Sequence, residues 1–120
     1  MAHTFDIADD NILYATITGV FADEEMQVYM SELAEILEGV PEGEQLKSFT
    51  DTTQLERVNP SLRRSIGEFM DNPKFGKTAV LGNSRVVKVM IDFAMTARGK
   101  HYMRYFTDRD EAMAWLQEDS

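Results

Sequence analysis

The sequence predicts a single α/β domain over residues 1–120, built on a mixed β-sheet with its elements in the order ββαβαβαβα. Three observations carry the prediction. Runs of β-forming residues alternate with stretches of helical periodicity, and consecutive β-α-β units close right-handed onto parallel strands. The first two strands are joined by a tight turn, which makes that pair antiparallel and the sheet mixed. No repeat, low-complexity tract or linker interrupts the chain, so one domain accounts for all of it.

The elements follow in order. Phe5 and Ile7 alternate with polar neighbours, Asp9-Asp10-Asn11 offers a turn, and Ile12 to Thr18 is rich in β-formers, so the chain opens on a hairpin. Asp23 is placed to cap a helix whose Met26, Met30, Leu33 and Leu37 recur at i, i+4, i+7 and i+11, before Gly39 and Pro41 stop it. Leu46 to Asp51 reads as a strand closed by the turn-rich Asp51-Thr52-Thr53. Asn59-Pro60-Ser61 opens the next helix, with Leu62, Ile66, Phe69 and Met70 inward and Asn72-Pro73 at its end. Lys77 to Leu81 forms a short strand and Gly82-Asn83 turns the chain into a helix from Ser84 to Ala97, which Gly99 terminates. His101 to Phe106 is the last strand. Asp108 caps the final helix, Glu111 completes an acidic version of the capping box, and Ala112, Trp115 and Leu116 form the apolar side.

The Ser84–Ala97 helix stands out. Its polar stripe is Ser84, Lys88, Asp92 and Thr96, with Arg85 beside it. At about 100° per residue the remaining apolar side chains cover an arc of roughly 200°, twice what one contact with a sheet buries. The surplus must meet a second layer, another subunit or an apolar ligand. Arg85, Lys88, Arg98 and Lys100 flank it with positive charge, as a lipid headgroup would require.

Composition narrows the function classes. The chain has no cysteine, which removes disulfides, thiolate chemistry and cysteine-ligated metal centres. Met1 to Asp6 lacks the basic and apolar regions of a signal peptide, and no apolar run approaches the ~20 residues of a spanning helix. A cytoplasmic, bacterial-type protein without a transmembrane segment is expected. The net charge of −9 disfavours nucleic acid as a partner. That charge is segregated: residues 1–56 hold thirteen acids and one base, whereas residues 57–109 hold eleven bases and four acids.

No catalytic constellation emerges. His3 and His101 lie in predicted strands without metal-ligand spacing and read as surface or strand-packing residues. The acidic clusters sit at helix starts, where the macrodipole favours them. The C-terminal rim of the parallel strands gathers Asp51, Thr52, Thr53, Ser61, Asn83, Ser84, Thr107 and Asp108. These hydroxyls and free N–H groups suit an anion or a phosphoryl group, and equally suit caps and turns. No cofactor or metal ion is implied.

The run Tyr105-Phe106-Thr107-Asp108-Arg109-Asp110-Glu111-Ala112-Met113-Ala114-Trp115-Leu116 resembles the ending of the SpoIIAA-like proteins, in which a final strand leads into an F-x-D-x-x-x-A-x-x-W-L helix. The opening hairpin, the strand ending in Asp51 and the junction from Lys77 to Arg85 are similar to the same family. The resemblance implies the STAS and CRAL-TRIO type of fold, a mixed sheet of four to five strands with helices mainly on one face. It also implies a non-enzymatic role. STAS regulators bind a partner such as an anti-sigma kinase and are switched by phosphorylation of a serine at the start of the helix after the third strand. Ser61 is the nearest match here, followed by Leu62-Arg63-Arg64 instead of the usual serine or threonine and glycine.

The expectation is therefore a binding or regulatory domain. Arg85, Val86, Val89, Met90, Phe93 and Ala97 are its candidate contact residues, for an apolar or lipid-like ligand or for a second copy in a homodimer. The first alternative is a partner-switch protein of the anti-sigma-antagonist type, with Asp51, Thr52, Ser61 and Ser84 as a phosphorylation or anion rim. The second is a small enzyme at that rim, with Asp51 or Asp108 as its base.

Overall fold

A tight turn joins neighbouring strands antiparallel, and the sheet begins that way. The computed structural model describes residues 3–8, 10–58, 64–65, 67–68, 71–98 and 103–118. Strands β1 (His3–Ile7) and β2 (Ile12–Phe21) pair antiparallel from His3 opposite Ile17 to Ile7 opposite Leu13. Asn11 takes a left-handed φ of 60°, which asparagine tolerates, and the Asp10 carboxylate accepts the Ile12 N–H at 3.0 Å.

Every later strand joins in parallel. Helix α1 (Asp23–Glu38) leads to β3 (Leu46–Val58), β3 to β4 (Phe75–Leu81), and α2 (Arg85–Arg98) to β5 (Met103–Phe106); α3 (Arg109–Gln117) follows. The spatial order is β1-β2-β3-β4-β5, the same as the chain order. Each right-handed crossover then steps the same way across the sheet, which puts the crossover helices on one face. Helix α3 follows the last described strand and packs on the opposite face. No described helix is long and apolar enough to cross a membrane.

Alternation along the strands feeds both layers. Leu13, Ile17, Val80 and Met103 meet Met26, Tyr29, Leu33 and Leu37 of α1 and Val87, Ile91, Ala94 and Met95 of α2. On the other face Ile12, Phe49, Ala79, Leu81 and Phe106 receive Ala112 and Leu116 of α3. At the C-terminal end of α3, Lys47 donates to the Leu116 carbonyl, and Lys77 to the Trp115 carbonyl, which also accepts the Glu118 N–H of the cap.

Several expectations need correction. Asp51-Thr52-Thr53 does not close β3; the strand continues to Val58 because β2 offers it a ladder from Thr18 to Phe21. The turn chemistry survives as an irregularity in the register between Thr16 and Thr18, where the Asp51 carboxylate accepts the Thr53 N–H at 2.9 Å and its hydroxyl at 2.6 Å. Asp23 lies in the first turn of α1, with Ala22 at the cap position, so its charge meets the helix dipole instead of capping. Ile7 is exposed at the end of the edge strand. Residues 64–65 and 67–68 are helical, as expected after β3, whereas Ser61, Leu62, Ile66, Phe69 and Met70 lie outside the described residues, as do Asp9, Gly99, Lys100 and His101.

Candidate functional site

The chain enters α2 through a crowded junction. The Ser84 backbone N–H donates to the Tyr105 hydroxyl at 2.6 Å, and the Ser84 hydroxyl accepts the Val87 N–H at 3.2 Å. Ser84 is thus the N-cap that starts the helix. From there the apolar arc divides in two. Val87, Ile91, Ala94 and Met95 turn to the core. Val86, Val89 and Phe93 are 59%, 61% and 56% exposed, Met90 is half-buried, and Ala97 is exposed. At about 100° per residue these last five fall within one arc of about 100°. Arg85 borders the stripe in the open, and Lys88 pairs with Asp92 at 2.7 Å on its polar flank. The side chain of Arg98 lies outside the described residues.

Of the rim, Asp51, Thr52, Thr53, Ser84 and Asp108 serve the fold, while Ser61 lies outside the described residues. Thr52 is buried and donates to the Leu81 carbonyl at 2.7 Å. One Asp51 oxygen serves Thr53 and the other meets Arg109 at 3.2 Å, while the guanidinium lies 5.0 Å from the Phe49 ring centre. Asp108 accepts the N–H groups of Asp110 and Glu111 as the cap of α3. These carboxylates hold donors that fix the β3 irregularity and the start of α3. Among the described residues no group of histidine and carboxylate side chains is placed to hold a metal ion.

Two features escaped the sequence reading. His3 is fully buried, with Nδ1 on the Glu25 carboxylate and Nε2 at 2.9 Å from that of Glu32, and it packs edge-on against Phe5 and Tyr29. It fastens β1 to α1. The only hint was the spacing of Glu25, Tyr29 and Glu32 on one helical face, which does not say what they hold. The second is an internal cavity of about 60 Å³ between sheet and helices, lined among others by Phe21, Met26, Tyr29 and Val87, with Ser48, Thr50 and Thr52 on its sheet side.

The profile of SpoIIAA-like proteins matches residues 12–117. The chain belongs to the SpoIIAA-like family. No curated protein matches it. Solved structures with the same fold include an uncharacterised protein with a SpoIIAA-like fold from Shewanella loihica PV-4, 18% identical, over 96% of this chain and 92% of that one, with a TM-score of 0.68. The anti-sigma factor antagonist SpoIIAA in its unphosphorylated form is 13% identical over 99% of both chains, with a TM-score of 0.70. An anti-sigma factor antagonist from Mycobacterium paratuberculosis is 11% identical over 97% of this chain and 95% of that one, at 0.66. At such identities these likenesses establish the SpoIIAA-like fold alone.

Proposed function

We propose that the chain is a non-catalytic regulatory module that docks another protein on the outer stripe of α2, in the style of the anti-sigma factor antagonists whose fold it shares. One observation carries the reading. A helix that already commits Val87, Ile91 and Ala94 to the core also holds Val86, Val89 and Phe93 in the open along one line. Water-exposed apolar side chains grouped in this way mark an interaction surface. The lipid-like ligand has less support. The internal cavity, about 60 Å³, is far below the roughly 300–1,000 Å³ of a small-molecule site. Phosphorylation at Ser61 is the regulatory arm of the same reading, and phosphosite mapping of protein isolated from its cells tests it.

The docking itself is tested with a photo-crosslinking residue at Val89 and, as a control, at Glu35 on the outer face of α1. The expected result is a discrete adduct with a different protein from position 89 only, lost on Phe93→Glu. Adducts made solely with the chain itself replace the reading with a homodimer, and adducts with lipid restore the apolar-ligand one.

A further inference from the structure

Strand β3 has two neighbours for only part of its length. Its ladder with β4 ends where Asp51 meets Leu81, but its ladder with β2 continues to Val58 opposite Phe21. Beyond Asp51, no described strand takes the place of β4. The Thr53 N–H is already satisfied by Asp51, so the open edge proper is Gln54–Arg57. Beside it runs a groove of about 250 Å³ lined by Leu55, Glu56, Arg57, Ser84 and Val86. The edge and the first turn of the apolar stripe therefore share one concavity.

The chemistry of this groove selects its occupant. Open-edge N–H and C=O groups are matched by an extended backbone, which presents the same groups at the same spacing. Val86 supplies an apolar contact for one side chain of such a segment. Arg57 and Arg85 are exposed and form no ion pair among the described residues, against the single carboxylate of Glu56. With two arginines against one carboxylate the groove is net basic, which suits an acidic segment better than a second copy of the same edge. The register shifts at Thr16/Thr18 and Gly19/Val20 also twist this overhang away from flat edge-to-edge stacking.

We propose that Gln54–Arg57 is a docking edge for an extended acidic segment of a partner protein, which adds as a strand on the side that β4 leaves open and sets an apolar side chain against Val86. The proposal rests on the protein-docking reading and states the form the partner takes.

The test is a titration of the ¹⁵N-labelled whole chain with a short acetylated peptide alternating valine with aspartate or glutamate. Three comparisons accompany it: the same peptide N-methylated at alternate amides, a version with lysine in place of the acids, and the Arg57→Glu variant. Expected are saturable amide shifts and slowed hydrogen exchange at Gln54–Arg57, loss of both with the N-methylated peptide, and binding weakened about fivefold or more by Arg57→Glu. Thermal melting confirms that the variant is folded. Binding that survives N-methylation, equal binding of the lysine peptide, or no shift at millimolar peptide overturns the proposal. Shifts confined to Val89 and Phe93 overturn strand addition while leaving docking on α2 intact, and the crosslinks from position 89 judge that reading separately.

Discussion

At Gly82 a β-carbon would stand 2.5 Å from the Tyr105 hydroxyl and closer still to that of Thr52, two groups already bonded to Ser84 and Leu81. Overpacking at such a knot costs about 1–3 kcal/mol, so Gly82→Ala is expected to lower the unfolding free energy by that amount, read as a lower urea midpoint with the slope unchanged. Tyr29 offers a second test. Burial pushes its hydroxyl from 10.0 up to about 12, against a smaller opposing effect of the hydrogen bond with Thr50. The folded chain therefore holds this proton more tightly than the unfolded one. The associated stability is complete below pH 10 and is lost as the pH rises towards 12, by about 2–3 kcal/mol. Tyr29→Phe is expected to flatten that part of the pH–stability profile in denaturant titrations; an unchanged alkaline slope would show that another group is responsible.

The two sides of α2 make opposite predictions from similar residues. Ile91→Ala opens a cavity under the helix and is expected to cost about 2–5 kcal/mol. Val89→Ser, on the outer stripe, is expected to stay within about 0.5 kcal/mol by denaturant unfolding. A large loss at position 89 would mean that the stripe is internal and would remove the ground for docking. How much of this was legible varied by element. The apolar surplus of α2 could be read because helical periodicity assigns each side chain an angle, and Ser84 and Asp108 announced the helix starts through cap chemistry. The length of β3 could not be read. Asp51-Thr52-Thr53 carries turn residues, and only the ladder that β2 supplies from Thr18 onward keeps them in a strand. The burial of His3 was hidden for a related reason, since both of its carboxylate partners arrive from a helix more than twenty positions away.

Taken whole, the molecule is a sheet covered from two sides by unequal amounts of chain. Helices α1 and α2 cover one face, while α3 by itself supplies the described helical cover over Phe49, Leu81 and Phe106. Removing the chain from Arg109 onward is expected to leave a species that binds hydrophobic dyes and associates with itself; a monomeric truncation with unchanged melting would show that this layer adds nothing. The agreement between strand order and chain order has a further consequence during synthesis. Each strand emerging from the ribosome finds its neighbour already made, so the sheet can grow outward without waiting for a distant segment. The second face is completed only when α3 follows β5. At about 5–20 residues per second, α3 is made on the order of a second after β5, and a chain that docks α3 late keeps one greasy side of its sheet uncovered until it does.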